Sequence, residues 1–301
     1  MIVITTPTGQ IGHQVLHNLL DSGEELRVVV RDSESLPPDV LDRVHVVQGS
    51  HGHPATVDKA FADADAVFWL TPPDPRASSV EAAYVGFTKP AAEAFKRHGV
   101  KRVVGVSALG RGTPWADKAG FVTASLAMDD LIGSSARAYR ALVNPSFMDN
   151  IARQAAPIAN QGMFFLAIDG DRKLPAVATR DIAAAASRLL LDDSWSGVGE
   201  VPLLGPEDLS FNEMAEIISD VLAKEVRYEQ ISLEAYKDRF LGFGMSDAMA
   251  QGQTDMAWAK NQGLDNAVTR TSENSTPTSF RQWAEEELKP AVLAQAGAAA
   301  S

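Results

Sequence analysis

The chain has 301 residues, 45% hydrophobic and 22% charged, and 27 Lys and Arg against 39 Asp and Glu give a formal net charge of −12. This is the composition of a folded globular protein, long enough to bury roughly three quarters of its unfolded surface. The absence of cysteine excludes disulfides, thiolate metal ligands and a thiol nucleophile, and the acidic balance excludes a general nucleic-acid binder, which needs clustered cations.

The opening segment, Met1 to Thr5, reads as a strand rather than a signal peptide, because no basic segment precedes its apolar run. Further on, no run approaches the roughly 18–20 apolar residues of a membrane span. We therefore expect a cytoplasmic protein with no membrane or nucleic-acid partner. Residues 2–5, 27–30, 44–47, 66–70, 102–107 and 141–144 are short runs rich in Val, Ile and Leu, the pattern of strands buried on both faces. Helical patterns alternate with them. In residues 10–22, Ile11, Val15, Leu19 and Leu20 fall on one face. Residues 80–98 form a second helical pattern, which Pro90 should kink or restart and Gly99 should stop. Residues 120–134 form a third.

The alternation predicts an α/β fold: a Rossmann-type, doubly wound parallel sheet over residues 1–150, with 175–195 packed on it. Beyond residue 150 the pattern turns helical, at 182–191, 210–224, 233–243, 246–261 and 278–288, with one short strand at 226–230. Ser210-x-x-Glu213 spells a capping box. We expect residues 151–290 to form a smaller, mostly helical substrate-binding region, and the Ala- and Gly-rich stretch 291–301 to be a disordered tail. A crevice between the two parts is the natural place for a ligand.

The most informative segment joins the first strand to the first helix: Thr5-Thr6-Pro7-Thr8-Gly9-Gln10-Ile11-Gly12-His13. A strand feeding a tight turn into a helix presents backbone N–H groups and the positive helix end to a pyrophosphate. Gly9 allows close phosphate approach, and Gly12 lets the helix pack on the strand. On the G-x-x-G-x-x-G spacing, Thr6 holds the place of the first glycine. About 20 residues on, where the adenosine ribose is read, come Arg31, Asp32 and Ser33. A guanidinium suits a 2′-phosphate and a carboxylate suits a 2′-hydroxyl. Arg31, with Ser33 as a second donor, favours NADP over NAD; Asp32 can face the ribose or solvent. His51-Gly52-His53 has a metal-like spacing without a nearby third ligand, so we read an exposed loop or an adenine contact and no metal site.

These pieces together resemble the NmrA-like branch of the atypical short-chain dehydrogenases/reductases, which includes NADPH:quinone reductase-like enzymes and redox-sensing regulators. The similarity runs through Thr6–Gly12 (for GATGxxG), Val30-Arg31-Asp32, Ala64–Pro73, VKRVVGVSALG at 100–110, LVNPSFMDNI at 142–151 and LGPEDLSFNEMA at 204–215. The resemblance implies that Thr6, Thr8, Gly9, Gln10, Ile11 and Gly12 hold a pyrophosphate, that Arg31 and Ser33 hold a 2′-phosphate, and that Leu70, Thr71 and Pro145 border a nicotinamide. It also makes Ser107, at the end of the fifth strand, the candidate catalytic residue. The usual Tyr-x-x-x-Lys is missing: none of Tyr84, Tyr139, Tyr228 and Tyr236 has lysine four residues later. A quinone or activated alkene can accept hydride with solvent supplying the proton. The implied activity is thus an NADP(H)-dependent oxidoreductase acting on a quinone-like, enone or carbonyl small molecule. The alternative is a non-catalytic NADP(H)-binding redox sensor. Monomer and homodimer both remain open.

Overall fold

The computed structural model describes residues 1–298, which gather into two compact units. The first comprises Met1–Ala108, Ala124–Val143 and Ile182–Val201; the second comprises Leu109–Thr123, Asn144–Asp181 and the chain from Pro202 onward. Both units therefore draw on three separate stretches of chain.

The first unit is built on a seven-stranded sheet. Its strands are β1 (Ile2–Thr5), β2 (Leu26–Val30), β3 (His45–Gln48), β4 (Ala66–Trp69), β5 (Arg102–Ala108), β6 (Ala138–Asn144) and a last strand, Gly197–Pro202. They lie in the order Gly197–Pro202, β6, β5, β4, β1, β2, β3. The pairs β1–β2, β2–β3, β1–β4 and β4–β5 are parallel. Ile4 stands opposite Val28 on one side and Phe68 on the other, and Phe68 stands opposite Val104. All four are fully buried, which is why these runs carry no polar alternation; each such side chain contributes about 1.5–3 kcal/mol by leaving water.

Helix α1 (Gly12–Leu19) buries Val15, Leu16 and Leu19, nearly the face that the sequence periodicity marks. The next long helix does not break at Pro90. A π turn, Ala82–Gly86, runs straight into Phe87–His98 with Pro90 inside it. A proline ring collides with the carbonyl four residues back, which is that of Gly86, and the wide turn falls just there. The helix then stops at Gly99, as read.

In the second unit a core of Met148, Ile158, Phe164, Phe211, Ile218 and Trp283 joins helices to two small sheets. One sheet contains Ser146–Phe147, Leu174–Val177 and Asp208–Leu209; the other pairs Met163–Leu166 with Arg227–Gln230 in parallel. Strands of two to four residues are too short to show a period, so all but the last escape the sequence reading. The capping box of helix Phe211–Leu222 is present in both directions. Residues expected to be a disordered tail are instead helical in Lys289–Ala298, while 299–301 lie outside the described residues. No described helix is long and apolar enough to cross a membrane.

Candidate functional site

The parallel order places the switch point between β1 and β4: the chain leaves β1 for β2 on one side and returns to β4 on the other. Ligands of such sheets bind beyond the carboxyl ends of the strands at this point. Thr6 follows β1, Arg31 follows β2, Leu70 follows β4, and Ser107 is the penultimate residue of β5. With neighbouring strands about 4.8 Å apart, these four residues share one edge of the sheet.

Thr6 has φ +51°, so threonine holds the left-handed conformation that a glycine would take at this place. For a β-branched residue that strain costs about 1–2 kcal/mol. The Thr6 carbonyl accepts the Gly9 N–H at 2.9 Å, closing the turn. Gly12 packs directly on it: a Cβ there would lie 2.0 Å from the Thr6 carbonyl oxygen. Among the described residues, no group accepts the N–H of Ile11 or Gly12, so both donors stand at the positive end of α1. The buried Thr6 hydroxyl also has no partner there. Unsatisfied donors, a buried orphan hydroxyl and a glycine pressed on the turn fit a dinucleotide pyrophosphate. Thr8 and Gln10 are exposed on the same loop. Thr6→Gly relieves the strain and removes the orphan hydroxyl against a smaller loss of chain entropy. The apoprotein should gain about 1 kcal/mol, read as roughly 2–4 °C in Tm; an unchanged or lower Tm would show that Thr6 is not strained.

At the end of β2, the Asp32 carboxylate accepts the Glu34 N–H at 3.0 Å and caps the short helical turn Ser33–Ser35. It is committed locally. The exposed Arg31 guanidinium forms no ion pair or hydrogen bond among the described residues, and the Ser33 hydroxyl forms none either. Sequence reasoning leaves Asp32 ambiguous because a capping contact depends on the local fold.

His51 corrects the expectation of an exposed loop. It is 7% exposed. Its Nε2 lies 3.0 Å from the Leu70 carbonyl, and its ring meets those of Trp69 and Phe87 edge-on at 5.2 and 4.9 Å. Burial pushes the imidazole down to about 4, the Leu70 carbonyl partly opposes this, and the Arg31 charge adds to it. A neutral ring facing a carbonyl must carry its proton on Nε2. His51 thereby fixes the backbone of Leu70, one of the residues expected beside the nicotinamide. Thr71 is buried, with its hydroxyl turned to Met128 Sδ at 3.2 Å and Thr88 at 3.4 Å. Ser107, also buried, donates to Asp129 Oδ2 and lies 3.1 Å from Ser125 Oγ. Pro145 belongs to the second unit, between β6 and Ser146–Phe147.

A parallel sheet in this order, with an anion-ready turn at its first strand–helix junction, defines a dinucleotide-binding protein of the Rossmann class. The chain belongs to the NAD(P)H-binding, NmrA-like family: the NAD(P)H-binding model matches residues 7–193 and the NmrA-like model residues 134–285. It is 27% identical to an NAD(P)H azoreductase of Xenophilus azovorans over 85% of this chain and 86% of that one. It is 28% identical to the (4-alkanoyl-5-oxo-2,5-dihydrofuran-3-yl)methyl phosphate reductase of Streptomyces griseus, over 96% of this chain and 98% of that one. An NADPH-dependent quinone oxidoreductase from Escherichia coli, solved with NADPH, has the same fold, with a TM-score of 0.76 at 22% identity over 94% of this chain and 98% of that one.

Proposed function

We propose that this protein is an NADP(H)-dependent oxidoreductase that transfers hydride to a quinone-like, enone or carbonyl small molecule. The observation that carries the cofactor choice is the contrast at the end of β2. Arg31 and Ser33 are uncommitted donors, whereas the Asp32 carboxylate, which would select a 2′-hydroxyl, is bound to the Glu34 N–H. A planar guanidinium with no anionic partner matches a 2′-phosphate.

In this reading Thr6, Thr8, Gly9, Gln10, Ile11 and Gly12 hold the pyrophosphate and Arg31 and Ser33 hold the 2′-phosphate. Leu70, Thr71 and Ser107 border the nicotinamide. The bound cofactor supplies the hydride. The chain's own work is positioning: His51 holds the Leu70 carbonyl, and the buried Thr71 hydroxyl fixes the segment after β4 through Met128 and Thr88. Two of the relatives are named for an azo and a conjugated dihydrofuranone acceptor, both electron-poor unsaturated groups. Those names support an acceptor of that character.

The test is a titration with NADPH, NADP, NADH and NAD, followed by nicotinamide fluorescence and Tm. Saturation at a hundredfold excess over Kd raises stability by about 2.7 kcal/mol. We expect the phosphorylated pair to bind at least about tenfold tighter, and Arg31→Ala to erase that preference while leaving NADH affinity unchanged. Equal affinity for NADH and NADPH in the wild type would overturn the assignment of Arg31. NADPH consumption with a panel of quinones, azo dyes, enones and aldehydes then tests the reductase itself.

A further inference from the structure

A cluster of four buried polar side chains stands behind the end of β5. Ser107 donates to Asp129 Oδ2, and the Tyr139 hydroxyl donates to Asp129 Oδ1 at 2.5 Å. Ser125 Oγ lies 3.1 Å from Ser107 Oγ. Exposure is 1% for Tyr139, 4% for Asp129, 5% for Ser125 and 6% for Ser107. Ser125 and Asp129 are one turn apart on the helix Phe121–Gly133 and share a face. Tyr139 comes from β6, and β5 makes room for it: a Cβ on Gly105 would lie 2.5 Å from the Tyr139 hydroxyl oxygen.

The chemistry of such an arrangement is specific. A carbonyl or enone that accepts hydride is left with an electron pair that needs a proton, and the chain has no Tyr-x-x-x-Lys to supply one. A serine hydroxyl alone is far too weak an acid. Backed by a carboxyl group, it can pass a proton on while receiving another. Either partner can donate in the short Ser107–Asp129 contact: Ser107 donates to the ionised carboxylate, whereas a protonated Asp129 donates its own O–H to Ser107 Oγ and leaves the Ser107 O–H for the acceptor.

We propose that Asp129 is the proton-holding positioning residue of this enzyme, acting on the acceptor through the Ser107 hydroxyl, with Tyr139 holding the carboxylate left behind. This rests on the reductase reading above. In reduction, the acceptor gains a C–H or N–H bond from the nicotinamide hydride, and the nicotinamide is oxidised by two electrons. The electron pair freed on the acceptor's oxygen or nitrogen takes the Ser107 proton, and Ser107 Oγ takes the Asp129 proton. The carboxylate keeps the Tyr139 O–H bond and regains a proton from water before the next turnover. Run backwards, the path carries a substrate hydroxyl proton to Asp129.

The test uses the full-length protein with NADPH and whichever acceptor of the panel the wild type reduces fastest. Asp129→Asn and Ser107→Ala should each lower kcat by about tenfold to a hundredfold, leaving NADPH affinity within about twofold. Because one acts through the other, the double variant should be no slower than Ser107→Ala alone. Infrared pH-difference spectra of the cofactor-free protein should contain a protonated-carboxyl band that Asp129→Asn removes. A kcat for Asp129→Asn near that of the wild type, multiplicative losses in the double variant, or parallel loss of NADPH binding would each overturn the relay. If Asp129→Asn does not fold, Tyr139→Phe decides: kcat falls severalfold with NADPH affinity kept, or the relay is wrong. A wild type that does not bind NADPH defeats the cofactor assignment before any variant is made. One that binds it but reduces nothing defeats the reductase reading and the relay together.

Discussion

Gly12→Ala should weaken NADPH binding by about a hundredfold or more and lower the Tm of the apoprotein by roughly 5–10 °C. The added methyl would lie 2.0 Å from the Thr6 carbonyl oxygen and 2.7 Å from its carbon, both backbone atoms. Neither can rotate away as the end of a flexible side chain would. Relief requires moving either the turn or the first turn of α1, and those are the two pieces that aim the Ile11 and Gly12 N–H groups. The Thr6–Gly9 hydrogen bond, which closes the turn, moves with them. Fluorescence titration and thermal melting of the same preparation separate the two effects. An alanine variant that binds NADPH within about threefold of the wild type would show that the turn carries no part of the binding site.

Acid should destabilise the protein through His51, by about 2 kcal/mol at pH 5 and about 3 kcal/mol at pH 4 relative to neutral pH. The imidazole titrates near 4 in the folded chain against an ordinary 6.5, chiefly because it is buried. Between those values the unfolded chain binds a proton that the folded chain refuses. The lowered pKa therefore costs nothing above about pH 7, and its cost grows as pH falls through the window and levels off below the folded value. His51→Gln keeps a donor for the Leu70 carbonyl without the titration. Denaturant melts at pH 7 and pH 5 should show the stability gap between wild type and variant shrinking by about 2 kcal/mol toward acid. Carboxylates titrate in both proteins and cancel in the difference. A gap that stays constant with pH would mean that His51 is not buried as a neutral ring.

Much of the first unit is legible in the order of residues. Val28-Val29-Val30 and Val103-Val104 announce buried strands because a parallel sheet covered on both faces admits no polar alternation. The glycine turn after β1 announces the cofactor loop because few residues tolerate that backbone and that closeness. The first glycine's place was legible even though threonine fills it: Thr6 departs from the pattern in identity while keeping its conformation, with φ +51°. Less was legible in the second unit. Its cap at Ser210 was, because a capping box is a contact between residues three apart. Apart from Arg227–Gln230, its short strands were not, because a strand such as Met163–Leu166 finds its partner some 60 residues away, and the pairing rather than the local sequence makes it a strand.

The same boundary runs through the site. Local sequence determined the alternation of strands and helices that makes a doubly wound sheet, the phosphate turn and the presence of an arginine where the ribose is read, since each follows from periodicity or from spacing within one strand–turn–helix unit. Tertiary structure alone decided which polar groups are committed and which are left for a ligand. His51 meets Leu70 across 19 residues, and Ser107 meets Asp129 across 22. Burial and hydrogen-bond satisfaction belong to neighbours brought together by the sheet, so a buried histidine and a carboxyl held by two hydroxyls have no signature in the chain read along its length.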